Sequence, residues 1–276
     1  MIFTRRTFVS GLMALPIAGR AIAEETNPFQ LSGPARQGAA LRGTVPHDTM
    51  LLMLGDLRID FAHDGRFIIA FDRDAGPEAL LRAETQQDLV IEQRLTVAPG
   101  NWDIEQVDAP LLGGAQSSEE FQRLRAGELE QIAAARAVHS DSEGWRQGFI
   151  WPVKARISGR FGSQRIYRGT PAAYHSGVDL AGGRGTTYMA PADGVVVLAA
   201  DHPFTLEGNL LIVDHGEGLN SAFLHSDKLL VKLGDKVRQG QPLGQIGATG
   251  RVSGPHLHWA AKWGQARIDP MTLVEP

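Results

Sequence analysis

The amino-acid sequence predicts a mainly β fold, made of an N-terminal small β-sandwich, a connecting α-helix and a C-terminal β domain. The chain has 32 glycines in 276 residues, above the usual share of about 7%, and many of them stand at expected turns. Short apolar segments between those turns, such as residues 195–198 and 210–213, are typical of buried strands. A helical repeat of apolar residues follows Ser117. We predict four segments: a signal peptide at 1–23, the sandwich at 28–110, the helix at 117–140 and a catalytic domain at 149–276.

The N-terminus has the features of an export signal. Residues 4–10 (TRRTFVS) contain a twin-arginine pattern, and residues 11–19 form a short apolar stretch. The tripeptide 21–23 (AIA) before Glu24 matches an A-x-A cleavage site. The apolar stretch is too short to span a bilayer. We therefore expect residues 1–23 to be removed and the chain to be periplasmic, exported by the twin-arginine route, with no membrane span.

Residues 28–110 are predicted to form the β-sandwich, because many short strands with regular turns favour that fold. The expected strands lie at 49–53, 59–61, 67–71, 88–92 and 102–104. This segment has no cluster of metal-binding side chains, and we expect His47 and His63 to be surface residues. We expect the sandwich to position or shield the active-site groove.

A connecting helix is predicted at residues 117–140. Ser117 and Glu120 have the spacing of a capping box, which starts a helix. Apolar side chains then recur at helical spacing and predict one apolar stripe; they are Phe121, Leu124, Leu129, Ile132 and Ala135. We expect this helix to join the two domains and to pack on one of them.

Histidines in the C-terminal part of the chain point to metal chemistry. His256 and His258 are two residues apart, so on a strand both side chains lie on the same face. His175 and Asp179 are four residues apart, which is about 13 Å in an extended chain, so the segment must bend for both to reach one ion, and Gly177 is the expected hinge. Three such ligands with an open fourth position suit a catalytic divalent metal.

A series of motifs in the C-terminal part resembles the lysostaphin-type (LytM) zinc endopeptidases. The order and spacing of the motifs match that family across about 110 residues. The motifs are HSGVDL at 175–180, APADGVVV at 190–197, GNLLIVDHGEG at 208–218, FLH at 223–225, GDKVRQG at 234–240 and GATGRVSGPHLHW at 247–259.

The resemblance implies an antiparallel β catalytic domain with Zn2+ in an open groove. His175, Asp179 and His258 correspond to the zinc ligands of the family, and His225 and His256 correspond to its two catalytic histidines. The resemblance does not say how His225 and His256 divide their roles. Two positions depart from the family pattern without removing a ligand. Phe223 stands where tyrosine is frequent, and Ala260 stands where glutamate is common.

Two other histidines in this region are not expected to take part in chemistry. His215 lies at the end of an apolar run, where histidines usually satisfy backbone groups, and we predict a structural role. His202, beside Pro203, is expected in a loop.

The resemblance implies a periplasmic zinc-dependent endopeptidase that hydrolyses peptide cross-links of peptidoglycan. The expected partners are peptidoglycan stem peptides, and we expect a D-alanyl to diaminopimelate bond rather than a glycine bridge. One alternative is a catalytically silent LytM-type activator of a cell-wall amidase, although such relatives lack metal ligands. A second alternative is a non-haem iron oxygenase, which also uses two histidines and one carboxylate. The additional histidines and the ordered motifs oppose that second alternative.

The composition of the chain limits the kinds of metal site and binding partner that are expected. The chain has no cysteine, which excludes disulfides and thiolate zinc sites. Residues 24–148 contain 11 basic and 21 acidic side chains, whereas residues 149–276 contain 13 basic and 10 acidic ones. A slightly basic catalytic half suits an anionic wall polymer, although solvated surface charge explains it equally well. Nothing in the sequence indicates nucleic-acid binding, and a wall-enzyme or divisome partner cannot be read from it.

Overall fold

The computed structural model describes residues 27–110 and 118–275. The fold is mainly β, as predicted, and the described residues contain one α-helix, α1 (Glu119–Arg136). The expected signal peptide at residues 1–23 lies outside the described residues. In the described ranges, no helix combines the length and the apolar character needed to cross a bilayer.

The N-terminal half contains two antiparallel sheets, which agree with the predicted small sandwich. A four-stranded sheet has the order β3-β2-β5-β6, and a two-stranded sheet pairs β1 with β4. Alternate residues of β5 are buried, among them Leu81 and Ala83 at 0% exposure, as expected for a strand with one face on a core. The strands are β1 (Ala40–Thr44), β2 (Thr49–Leu54), β3 (Leu57–Ile59), β4 (Arg66–Ala70), β5 (Glu78–Thr85), β6 (Val90–Thr96) and β7 (Ile104–Val107).

The N-terminal half is joined to the C-terminal half by a small sheet and a buried arginine. Strand β7 pairs in parallel with β9 (Gln164–Tyr167), and β10 (Thr170–Pro171) completes this sheet. Arg73, 6% exposed, donates from Nε and Nη2 to the carbonyl of Gly162 at 3.1 and 3.0 Å. A methyl group at Gly162 would lie 2.2 Å from the Trp102 ring, so only glycine allows this approach. One apolar core runs through both halves.

The start of helix α1 differs by one residue from the prediction. Ser118, not Ser117, is the N-cap, and its Oγ accepts a hydrogen bond from the amide of Phe121 at 3.1 Å. Ser117 lies outside the described residues. With Ser118 as the N-cap, the third helical residue is Phe121 rather than a glutamate, so the predicted capping box with Glu120 is not formed.

The packing of α1 also differs from the single apolar stripe that we expected. Ala135 is buried, and Ile132 packs with it against the C-terminal sheet. However, Leu124 and Leu129 are 48% and 49% exposed. The reason is that the N-terminal part of the helix contacts the C-terminal half through charged side chains, among which Glu128 is only 4% exposed.

The C-terminal half is built on a ten-stranded sheet in which all pairings are antiparallel, as expected. Its main order is β16-β13-β14-β15-β18-β11-β8, with β17 joining β12 to β15 and with β19 paired to β18. Short 3-10 helices lie at Gly144–Arg146 and Pro270–Leu273. The strands are β8 (Arg156–Gly159), β11 (Val178–Ala181), β12 (Thr187–Met189), β13 (Gly194–Ala199), β14 (Asn209–Asp214), β15 (Leu219–Leu229), β16 (Lys236–Val237), β17 (Pro242–Ile246), β18 (Leu257–Trp263) and β19 (Ala266–Ile268).

Strand β18 separates the core from the candidate site. Leu257 and Trp259 point into the core at 0% exposure, so His258 lies on the opposite face. His258 is the register partner of Asp179 on β11 and of Leu224 on β15. Ala260, on the same face, packs with the apolar cluster under helix α1. The candidate site and the helix therefore share one face of the sheet.

Candidate metal centre

The three predicted metal ligands come together at one point of the sheet. His175 Nε2 lies 3.1 Å from Asp179 Oδ1 and 3.1 Å from His258 Nδ1, and the latter two atoms are 2.9 Å apart. Among the described residues, these three form the group that could hold a metal ion. The register pair of Asp179 and His258 explains the shortest of the distances, because directly opposed residues of neighbouring strands project side by side.

The triangle of ligand atoms has the size that a tetrahedral zinc site requires. Zinc bonds to histidine nitrogen and carboxylate oxygen are about 2.0–2.2 Å long. Ligand atoms at the corners of such a tetrahedron are about 3.4 Å apart, close to the observed 2.9–3.1 Å. Two imidazoles and one carboxylate leave one corner for another ligand, as in catalytic zinc sites. The residues present therefore fit a zinc ion.

Backbone contacts orient the ligands. His175 Nδ1 lies 3.0 Å from the carbonyl of Arg160. A carbonyl only accepts hydrogen bonds, so Nδ1 carries the proton and Nε2 presents its lone pair to the site. Gly177 allows the segment to approach β18. A methyl group there would lie 2.6 Å from His258 Nε2 and 2.6 Å from the carbonyl of Trp259.

His225 reaches the site through a local irregularity of β15. In a regular strand His225 would point away from the face that carries Leu224. The pairing of β14 with β15 shifts register between Asn209 and Leu211, and His225 has a left-handed φ of +64°. Such bulges redirect a side chain. As a result, the His225 ring lies 6.3 Å from that of His258, measured between centroids.

The two predicted catalytic histidines are oriented in the same way. His225 Nδ1 lies 2.9 Å from the carbonyl of Thr249, and His256 Nδ1 lies 2.9 Å from the carbonyl of Gly254. Each Nδ1 therefore donates, and each Nε2 is directed away from that carbonyl. The ring centroids of His225 and His256 are 5.2 Å apart, and His256 Nε2 lies 3.5 Å from Asp179 Oδ1.

The electrostatics of the site keep Asp179 ionised. Burial would raise the pKa of the Asp179 carboxyl, but the imidazoles of His175, His256 and His258 beside it hold that pKa well below its usual range. Burial lowers the pKa of His258, and its partner Asp179 opposes this only in part. Burial likewise lowers the pKa of His225. Burial would lower the pKa of His175, but its contact with Asp179 raises it, and Asp179 likewise raises the pKa of His256. The ionised carboxylate suits metal binding, and a bound cation would displace any proton from His175 Nε2.

A groove of about 1150 Å3 opens beside His175 and Asp179. The C-terminal half lines it with residues of β8, β9 and the segment before β11. The N-terminal half lines it with Trp102, Asp103 and two residues of β7, Ile104 and Glu105. The N-terminal half therefore forms part of the groove wall.

Four other histidines match the sequence predictions that were made for them. His215 is fully buried, with Nδ1 2.7 Å from the carbonyl of Asp193 and Nε2 2.9 Å from Ser221 Oγ. Both nitrogens have a partner, as expected for a structural residue. His47 and His63 are exposed, and His202 is a surface residue beside Asp201.

Sequence reasoning missed the groups that orient the site. The carbonyls of Arg160, Thr249 and Gly254 act through the backbone, so their side chains give no signal. It also missed Trp102 as a wall of the groove, because the parallel pairing of β7 with β9 joins segments about 60 residues apart.

Known proteins are similar to the part of the chain that contains this site. The sequence model of Peptidase family M23 matches residues 173–270. Over 112 residues the chain is 44% identical to the peptidoglycan DD-endopeptidase ShyA of Vibrio cholerae, which covers 40% of this chain and 26% of that protein. It is 29% identical over 145 residues to the murein hydrolase activator NlpD of Salmonella dublin, covering 52% of this chain and 35% of that protein. The matches thus span about a quarter to a third of these relatives.

A crystal structure of a peptidase M23 from Pseudomonas aeruginosa is similar over most of the chain. The TM-score is 0.68 at 25% sequence identity, covering 88% of this chain and 96% of that one. The likeness therefore includes the N-terminal half as well as the ten-stranded sheet. The C-terminal part of the chain, which carries His175, Asp179 and His258, matches Peptidase family M23 over residues 173–270.

Proposed function

We propose that the protein is a zinc-dependent endopeptidase that hydrolyses peptide cross-links of peptidoglycan. The observation that carries this proposal is the triangle of His175 Nε2, Asp179 Oδ1 and His258 Nδ1 beside two further histidines. An inactive family member has no need for a complete ligand set with oriented histidines next to it.

The side chains of the site fall into metal ligands and groups that transfer protons. Bound at this triangle, Zn2+ would act as a Lewis acid toward a peptide carbonyl and would lower the pKa of water to about 7. His175, Asp179 and His258 would hold the ion. Burial lowers the pKa of His225, so its Nε2 is suited to accept a proton, whereas Asp179 raises the pKa of His256, so that ring is suited to donate one to a leaving amine. In their protonated form these rings also stabilise a developing negative charge.

The groove suits an extended peptide. It is lined by small residues such as Gly159, Ala172 and Ala173 as well as by aromatic ones. ShyA, the relative mentioned above, is named a peptidoglycan DD-endopeptidase. Stem peptides of peptidoglycan are therefore the proposed substrate, and a D-alanyl to diaminopimelate bond is the proposed site of cleavage.

The proposed location follows from the substrate and from the sequence. Peptidoglycan lies outside the cytoplasmic membrane, and the twin-arginine pattern at Arg5 and Arg6 is an export signal. We propose export to the periplasm by that route. A fusion of residues 1–30 to a reporter that is active only after folded export tests this part, and replacing both arginines by lysine should abolish export.

The proposed function is tested with isolated peptidoglycan sacculi. The chain lacking residues 1–23 is incubated with sacculi, and the released muropeptides are identified by mass. We expect cross-linked dimers to disappear with the wild type and with a His202→Ala control, which removes an exposed histidine outside the site. We expect no loss of dimers with His258→Ala. Intact dimers in the presence of zinc-loaded wild type would contradict the proposal.

A second candidate function is activation of a cell-wall amidase. The similarity to NlpD, which is named a murein hydrolase activator, favours it. In that case the purified chain would leave dimers intact but would increase the release of stem peptides by an added amidase. The same increase with His258→Ala would show that activation does not depend on the metal site.

A further inference from the structure

A turn between β13 and β14 holds the backbone of His225. The amide of His225 donates to the carbonyl of Glu207 at 2.9 Å. In the same turn, the carbonyl of Leu206 accepts from the amide of Arg251 at 3.0 Å. His225 has a φ of +64°, a conformation that non-glycine residues adopt only when their surroundings impose it. A shift of this turn would therefore move the backbone of His225.

Helix α1 holds that turn through two buried charged contacts. Arg125 donates to both carboxylate oxygens of Glu207, at 2.6 and 2.8 Å. Glu128 accepts from the amide and from the hydroxyl of Thr205, both at 2.6 Å, and also from Arg125 at 3.1 Å. The side chains of Arg125, Glu207 and Glu128 are only 18%, 15% and 5% exposed.

The contacts of Arg125 with Glu207 and Glu128 are better suited to fixing the position of the turn than to stabilising the fold. Buried ion pairs are weak contributors to stability, because desolvation of the charges offsets their attraction. A bidentate pair of arginine and carboxylate fixes geometry instead. The arginine belongs to α1, which lies outside residues 173–270, the range that matches the M23 family.

We infer that Arg125 and Glu207 are positioning residues for His225. The helix holds Glu207, the carbonyl of Glu207 holds the amide of His225, and the carbonyl of Thr249 then fixes the ring. The helix that joins the two halves is in this way coupled to the proposed catalytic histidine. The catalytic part of this inference rests on the proposed function, whereas the structural part does not.

The structural part is tested by amide hydrogen exchange, which needs no substrate. Arg125→Ala should speed exchange of the His225 amide by at least about tenfold and should leave the amide of Phe223 unchanged. Arg125→Lys, which keeps the cation, should restore part of the protection. Arg82→Ala breaks an exposed ion pair with Glu84 and should change neither amide. Equal protection of the His225 amide in Arg125→Ala and wild type would overturn the inference, whatever the activity.

The catalytic part is tested by a double-mutant cycle with His225→Ala. Arg125→Ala should lower kcat about tenfold in the wild-type background, with KM and zinc content within about twofold. In the His225→Ala background the same substitution should change kcat less than about twofold, because the group that it positions is already absent. An equal loss in both backgrounds, or no loss in the wild-type background, would overturn the catalytic role. An inactive wild type would contradict the proposed function alone, since the exchange test would still decide the structural part.

Discussion

Asp179 Oδ1 lies 2.9 Å from His258 Nδ1 across the pairing of β11 with β18. The two residues are opposed in register, so the sheet itself brings together ligands that are 79 positions apart in the chain. His175, which precedes β11, completes the triangle from the adjacent segment. The candidate metal centre thus lies on regular structure, and its geometry depends on correct pairing of these strands.

Zinc is expected to stabilise the folded protein through Asp179. A ligand that binds only the folded state raises the free energy of unfolding by RT ln(1 + [L]/Kd), which is about 2.7 kcal/mol at a ligand concentration of 100 Kd. Added Zn2+ should raise the Tm of the wild type, and a chelator should reverse the rise. Asp179→Asn should lose most of the rise, whereas Asp201→Asn, an exposed carboxylate beside His202, should keep it. An equal rise in all three proteins would exclude Asp179 as a ligand.

Gly177 is expected to tolerate no side chain. Its replacement by alanine would place a methyl group 2.6 Å from His258 Nε2 and 2.6 Å from a backbone carbonyl. We predict that Gly177→Ala lowers zinc affinity by at least about tenfold and lowers Tm. Gly183→Ala is the matched control, since the nearest atom to its new methyl group is 3.8 Å away. Affinity is measured by competition with a chromogenic chelator, and unchanged affinity in Gly177→Ala would be inconsistent with the observed packing.

His215 is expected to make the protein sensitive to acid. Burial lowers the pKa of this fully buried imidazole to about 4, compared with about 6.5 when unfolded. Between these values the unfolded state binds more protons, so stability falls as pH falls from about 6.5 to 4, by about 3 kcal/mol in total from this residue. His215→Gln should show a flatter decline in the free energy of unfolding over this window. Parallel pH profiles for the two proteins would show that His215 does not titrate in this way.

Arg73 is expected to be essential for joining the two halves. Removal of the Arg73 side chain would take away both hydrogen-bond donors of the Gly162 carbonyl. It would also remove the guanidinium that lies 4.7 Å from the centroid of the Tyr174 ring. We predict that Arg73→Ala lowers the free energy of unfolding by about 2–4 kcal/mol, because a buried acceptor would lose its charged partner. The exposed Arg94→Ala should have an effect below about 0.5 kcal/mol. Urea denaturation measures both, and similar midpoints for the two variants would contradict the assigned role of Arg73.

The fold class could be predicted from local signals in the sequence, whereas the roles of the candidate site residues were inferred from the resemblance of the motifs to the lysostaphin-type family. Short apolar runs between glycines predicted strands, and the pair His256 and His258 predicted two side chains on one face. The bulge at His225 was not predictable, since it arises from the pairing of β14 with β15 and not from a local preference. The N-cap was misplaced by one residue because Ser117 and Ser118 are both good caps. Leu124 and Leu129 were predicted to lie in the apolar stripe but are exposed, whereas Glu128 on the same helix is buried. A single buried carboxylate leaves no periodic pattern in the sequence from which this packing could be predicted.

The most direct test of the account is to locate zinc by anomalous X-ray diffraction at the zinc edge, with crystals of the chain lacking residues 1–23. One strong peak is expected about 2.0–2.2 Å from His175 Nε2, Asp179 Oδ1 and His258 Nδ1, with a fourth position open toward the groove. A peak at other side chains, or none in crystals grown with excess zinc, would contradict the claim that these three residues form the metal centre.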